Sequence, residues 1–206
     1  MRVVVPKNYS FKRIKHVVNA RILKKWGTAA TKKAIWDAEF SSGQWDYLDS
    51  TGGDPIYPYL EKYSNHGTIL DLGCGSSNTG NELDVSKYRS YTGVDISESA
   101  IRRALARCIK NRRQSKNEYV CEDISAYVPQ MRYDIILFRE SIFYIPRYQI
   151  RQVVNRYSHF LKESGVFVVR MCDRNKYRSI VSLVERHYNV LAKSSLPDPD
   201  IILVFR

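Results

Sequence analysis

Two carboxylates and a short run of glycines carry the first chemical signal in this sequence. Asp71 lies in the apolar run TILDLG, which leads directly into GCGSSNTG, and Asp95 closes the run YTGVD twenty residues after Gly75. Gly73 and Gly75 stand where a strand must turn sharply into a helix and where the backbone must approach a ligand without obstruction by a Cβ. Taken alone, such a turn also serves as a structural crossover or a dinucleotide site. The spacing narrows the reading, because a carboxylate at the carboxyl end of the adjacent strand can accept both hydroxyls of a ribose. One strand further, YVCEDI places Asp123 at the next strand end, where it can accept a hydrogen bond from an adenine amino group or act as an N-cap or turn residue.

The elements that must position these groups are visible in the periodicity. After Gly67, short β-rich apolar runs alternate with helical stretches, the pattern of βαβ units in a mostly parallel sheet. The predicted strands are Thr68 to Leu72, Ser90 to Asp95, Glu118 to Glu122, Asp134 to Arg139 and Gly165 to Met171. Two final runs, Tyr188 to Lys193 and Asp200 to Phe205, flank SSLPDP and suit an antiparallel hairpin. The expected fold is therefore α/β, a Rossmann-like three-layer sandwich with a seven-stranded, mostly parallel sheet and an antiparallel last strand.

At 206 residues the chain can bury one such core without a second globular unit. The division expected is a basic amphipathic helix and helical cap over residues 1–60, followed by the Rossmann-like domain over 61–206. Within the first part, Phe11, Ile14, Val18, Ile22 and Trp26 recur at helical steps with Lys12, Arg13, Lys15 and Lys24 between them. The segment from Trp36 to Pro55 is rich in aromatics and acids and reads as short helices and a turn, with the next helix starting near Tyr57. The formal net charge is +12, yet residues 1–33 hold ten Lys and Arg and no Asp or Glu, so the remainder is nearly neutral. Four cysteines without a CxxC pair suit a reducing cytosol, and no stretch approaches a membrane span, so a cytoplasmic protein, at most peripheral to a membrane, is expected.

ILDLGCGSSNTG, YTGVDIS, YVCEDI, YDIILFRESIFYI and SGVFVVRM, in this order, resemble the successive motifs of the class I S-adenosylmethionine-dependent methyltransferases. With the closing hairpin the resemblance extends over about 140 residues, in the manner of bacterial small-molecule methyltransferases. It implies S-adenosyl-L-methionine as cofactor. Asp71, Gly73 and Gly75 match the motif that holds its methionine end, Asp95 the ribose acid, Ile96 a contact to the adenine, and Asp123 with Ile124 the reader of the adenine edge. Arg139, at the end of the fourth strand, joins this cofactor-binding set. Ser77 departs from the pattern, standing where many members carry a third glycine.

Methyl transfer to nitrogen or oxygen requires alignment of the nucleophile and, for some acceptors, removal of a proton. Glu140, in FRESIFYIP, is the candidate catalytic acceptor of that proton. The alternative is a structural carboxylate paired with Arg139 or Arg147, or one that helps bind the cofactor's amino group. Ser141, Phe143 and Tyr144 are expected to wall the acceptor pocket and Trp45 to cover it, the alternatives being a core aromatic at Tyr144 and packing of Trp45 against the sheet. No metal site is expected, since His16, His66, His159 and His187 show no ligand spacing.

A small-molecule or saccharide acceptor is the leading reading. The Pro-Pro-Tyr type of motif that stacks a flipped base is missing, with FRESIFYI in its place. The alternatives are an RNA- or protein-modifying enzyme using the basic N-terminal helix, and a cofactor-binding homologue without catalysis. That helix also suits contact with an anionic membrane surface, or simple packing with solvated lysines.

Overall fold

The computed structural model describes residues 20–49, 52–194 and 199–206. Of the basic amphipathic helix expected from Phe11 onward, residues 11–19 lie outside the described residues, while residues 20–26 are helical.

Seven strands lie in one sheet: β1 Thr68–Leu72, β2 Ser90–Asp95, β3 Asn117–Cys121, β4 Tyr133–Arg139, β5 Leu161–Met171, β6 Val190–Lys193 and β7 Ile201–Phe205. Their order is β3-β2-β1-β4-β5-β7-β6. The first five pair in parallel, and β7 runs antiparallel between β5 and β6. The expected architecture is thus the observed one.

The helices are α1 Ala29–Ser41, α2 Tyr57–Ser64, α3 Asn78–Glu82, α4 Glu98–Lys110, α5 Arg147–Ser158 and α6 Arg178–His187. Alternation along the central strands divides the core in two. Leu70, Leu72, Ile136 and Phe138 point to one face, where Ile150 and Val154 of α5 and Ile180 and Val184 of α6 cover them. Ile69, Ile135 and Leu137 point to the other, under Ile56, Tyr57 and Leu60 at the start of α2. The same alternation assigns Asp71 and Arg139 to this second face, at the carboxyl ends of adjacent strands.

Two local expectations are corrected. The segment around Trp36 is no series of short helices: Trp36 sits within the thirteen-residue α1, whose N-cap Thr28 accepts from the Thr31 N–H, and a 3-10 turn at Asp46–Asp49 follows. The fifth strand begins at Leu161 rather than Gly165. Its pairing with β4 shifts register between Tyr133 and Ile135, and a Cβ on Gly165 would lie 2.9 Å from the Tyr133 carbonyl oxygen. The glycine thus permits an irregularity inside the strand rather than marking its start.

Candidate active site

The turn after β1 is tied to the end of β2 by its own backbone. The Gly73 and Cys74 N–H groups donate to the Val94 carbonyl at 2.8 and 3.0 Å, and the Gly75 N–H donates to Asp95 Oδ2 at 2.9 Å. Gly73 and Gly75 take φ of +83° and +55°. A Cβ on Gly73 would come 2.5 Å from the Cβ of Ser141, whose hydroxyl donates to the Leu72 carbonyl at 2.5 Å. Only glycine lets the turn and the loop after β4 meet this closely. Ser77 also adopts the left-handed conformation, at φ +58°. The position where a third glycine is common therefore keeps a glycine-like backbone while carrying a side chain.

That side chain joins a buried polar chain beneath the turn. Ser77 Oγ lies 3.2 Å from the Tyr91 hydroxyl and 3.1 Å from that of Tyr119, and Tyr91 donates to Asp71 Oδ2 at 2.7 Å. Asp71 Oδ1 is buried without a hydrogen-bond partner among the described residues. Burial lifts the Asp71 carboxyl to about 6, against the Tyr91 hydrogen bond and the Arg139 charge, which favour ionisation. Burial likewise lifts Asp95 to about 6, against the N–H groups of Ser97 and Gly75. Each Asp95 oxygen takes one backbone N–H, at 2.9 Å, and so retains a lone pair for a ligand hydroxyl.

Asp71, Gly73, Gly75, Asp95, Ile96, Asp123 and Ile124 all border one cavity of about 570 Å³, as do Arg139, Glu140, Ser141, Phe143, Tyr144 and Trp45. Every site residue read from the sequence is therefore brought to one place. Asp123 Oδ1 accepts from the Ser125 N–H at 2.7 Å, an Asx-type turn that leaves the second oxygen of the carboxylate with acceptor capacity. Trp45 donates through Nε1 to Glu39 Oε2 at 3.0 Å.

The partner of Glu140 differs from both pairings expected. Its Oε1 accepts from Arg170 Nη1 at 2.9 Å and its Oε2 from the Cys172 N–H at 3.1 Å. Arg170 stands beside Arg139 in the β4–β5 register and also donates to Asp200 at 2.6 Å. Arg139 instead donates to Asp54 at 2.5 Å. Glu140 itself sits at φ +57°, a conformation that costs a non-glycine residue on the order of 1 kcal/mol or more. Burial raises its pKa, opposed by the Arg170 charge.

Several residues of the cavity had escaped the sequence reading. Phe40 packs toward Gly75, where a Cβ would lie 3.3 Å from its ring. Outside the cavity lining, Asp37 holds α1 against the start of α4, accepting from Ser97 Oγ at 2.8 Å and the Ser99 N–H at 3.1 Å. Lys24, Asp54 and Arg170 also reach the cavity. Arg170 alone carried a signal, as a charge inside the buried run GVFVVRM.

Comparison with known proteins agrees with this geometry. A family model described as a methyltransferase domain matches residues 69–165. No curated protein matches the sequence. Among solved structures, the 1,6-didemethyltoxoflavin-N1-methyltransferase of Burkholderia thailandensis, bound to 1,6-didemethyltoxoflavin and S-adenosylhomocysteine, superposes with a TM-score of 0.70 at 14% identity, over 99% of this chain and 92% of that one. The N-methyltransferase NodS of Bradyrhizobium japonicum WM9, in complex with S-adenosyl-L-homocysteine, gives 0.66 at 16% identity, over 84% and 97%. The magnesium protoporphyrin IX methyltransferase of Synechocystis PCC 6803 gives 0.65 at 13% identity, over 85% and 99%. At these identities the structures establish a shared fold, and the matched domain spans the glycine turn, both strand-end acids and the loop after β4. Residues 69–165 thus match a methyltransferase domain, the domain of the class I S-adenosylmethionine-dependent methyltransferases.

Proposed function

We propose that this methyltransferase acts on a nitrogen or oxygen of a small molecule or saccharide, held between the cap helix α1 and the loop after β4. The observation that carries the reading is the cavity itself. Its volume of about 570 Å³ suits a cofactor with a small acceptor, and Trp36, Phe40 and Trp45 cover it from the cap side.

The residues present fit S-adenosylmethionine. Asp71 Oδ1, without a hydrogen-bond partner among the described residues, the spare lone pairs of Asp95 and the glycine backbone at positions 73 and 75 are each explained by a polar ligand at this strand edge. The bound cofactor supplies a methyl group on a sulfonium, activated for displacement by an acceptor lone pair. In our assignment Asp95 accepts the ribose hydroxyls, Ile96 and Ile124 pack on the adenine, and Asp123 reads its amino edge. Asp71 and the Gly73–Gly75 backbone take the methionine end, with Arg139 behind them. Ser141, Phe143 and Tyr144 orient the acceptor, and the aromatic cover excludes water from the transfer.

Glu140 is proposed as a positioning group. Both its oxygens are engaged, one by a cation, so it fixes the start of the acceptor loop against β5 more readily than it collects a proton.

Isothermal titration with S-adenosylmethionine and S-adenosylhomocysteine tests the site, followed by screening of amines and sugars with a deuterated methyl donor and mass detection. Micromolar binding and a mass-labelled small-molecule product are expected. Absence of binding at millimolar ligand would reject the cofactor assignment, and label appearing only in RNA or protein would reject the acceptor class.

A further inference from the structure

Lys24, which borders the same cavity, pairs with Glu39 just behind its lining. The Nζ of Lys24 ends inside a ring of aromatic side chains, 3.8 Å from the centroid of Trp36, 5.4 Å from that of Trp45 and 6.0 Å from that of Tyr144. Trp36 meets Tyr144 edge to face at 4.9 Å and leans on Trp45 at 5.9 Å. Glu39 supplies the counter-charge: Lys24 donates to its Oε2 at 2.5 Å, and Trp45 donates to the same oxygen at 3.0 Å. Lys24 is only 6% exposed. An ammonium group so far from water is stable only with a paired carboxylate and aromatic faces around it, and both are present.

Three rings and a carboxylate form a receptor for an alkylammonium. The ring quadrupoles attract positive charge and offer little to a neutral hydroxyl. The receptor and its present occupant belong to different elements. Trp36 and Glu39 lie on α1, Trp45 follows it and Tyr144 follows β4, whereas Lys24 belongs to the helical residues 20–26, set off from α1 by Gly27 and the N-cap Thr28. The contacts of Trp36 with Tyr144 and Trp45, and of Trp45 with Glu39, are made directly and not through Lys24.

Resting on the methyl-transfer reading above, the geometry points to an amine acceptor, whose nitrogen occupies the Trp36, Trp45 and Tyr144 ring at the place Lys24 Nζ fills, with Glu39 as its counter-charge. The ring stands on the cofactor cavity, since Lys24, Trp36, Trp45 and Tyr144 border the same space as Gly73 and Asp95. Glu39 takes one proton from the incoming ammonium, and the freed nitrogen lone pair forms the new N–C bond as the C–S bond breaks toward sulfur. The methylated ammonium that results is again a cation suited to the rings. Burial lowers the pKa of Lys24, against the hydrogen bond and charge of Glu39, which favour the ammonium.

The test uses two probes of matched shape, choline and its uncharged isostere dimethylbutanol, on protein saturated with S-adenosylhomocysteine. In the Lys24→Met variant, tryptophan fluorescence should show choline binding about tenfold more tightly than dimethylbutanol, and Trp36→Leu added to that variant should erase the preference. In the wild-type chain, saturating choline should raise the acetylation rate of Lys24 severalfold, read by peptide mass mapping, and dimethylbutanol should leave it unchanged. Equal binding of the two probes, binding of neither, or a Lys24 that choline does not uncover overturns the assignment. Titration of S-adenosylhomocysteine comes first: a chain that fails to bind it contradicts the methyl-transfer reading, whereas one that binds it without preferring the cation contradicts the amine acceptor alone.

Discussion

The Asp71→Asn substitution turns the burial of one carboxyl into a measurable curve. Asp71 is 1% exposed, its Oδ1 has no partner among the described residues, and burial lifts its pKa from 3.8 to about 6. A folded-state value above the unfolded one means that the folded chain binds this proton more tightly. The stabilisation from the protonated carboxyl is complete below the unfolded value and is lost as pH rises through about 6. A separation of roughly two pKa units corresponds to about 3 kcal/mol. Asparagine is uncharged throughout and has no such slope. Its amide must find an acceptor, at a pH-independent cost of about 1 to 3 kcal/mol that can hide the gain at any single pH. Urea unfolding of both ligand-free proteins at about pH 4 and about pH 8 removes that constant. Across the interval the variant should gain about 2 to 3 kcal/mol on the wild type. A stability difference equal at both ends would refute the reasoning, because Asp71 would then ionise as freely in the folded chain as in the unfolded one.

Asp95 bears on binding rather than stability. Since its carboxyl is raised to about 6 and must be ionised to serve two hydroxyls, affinity for S-adenosylhomocysteine should fall about tenfold between about pH 7 and about pH 5, as titration calorimetry would show. The Asp95→Ala protein should bind weakly at both. Gly73→Ala places a Cβ 2.5 Å from that of Ser141 at φ +83° and should cost about 2 kcal/mol or more in urea unfolding. Adding Ser141→Gly should recover part of that loss, and no recovery would mean that backbone strain alone accounts for it. At position 77, alanine loses the hydroxyl and keeps the strain whereas glycine loses both, so Ser77→Ala should unfold about 1 kcal/mol below Ser77→Gly. The reverse order would remove the strain argument.

The fold was legible because period-two alternation and glycine punctuation are local signals, and β1 and β2 were placed to the residue. The start of β5 was not, since Gly165 breaks the pattern wherever it stands and only the neighbouring Tyr133 backbone shows that the strand passes through it. The strand-end positions of Asp71, Asp95, Asp123 and Glu140 could be read because a parallel sheet brings successive strand ends to one edge. Pairing choices could not. Glu140 has arginines at positions 139 and 147 nearby in sequence, yet its cation is Arg170, thirty residues on, because β4 and β5 are neighbours. Lys24 read as one more charge on an amphipathic helix and Glu39 was not singled out, since the ring around Lys24 joins Trp36 and Trp45 to Tyr144, far along the sequence. Ser77, by contrast, looked like a departure from a motif and proves to hold the glycine-like conformation of that position.

The place of β7 has a consequence for how the molecule is made. Of the seven strands among the described residues it comes last in the sequence, yet it lies inside the sheet, with β5 on one side and β6 on the other, and all five of its residues are buried. Until Ile201–Phe205 has emerged from the ribosome, the hydrogen-bonding edge of β5 stays bare and β6 has no partner in the sheet. Phe167 and Tyr188 wait for the Phe205 ring that packs against both. Closure of the sheet is therefore a late, long-range event, and during synthesis the nascent chain carries an open edge for which a chaperone, or a neighbouring nascent chain, competes.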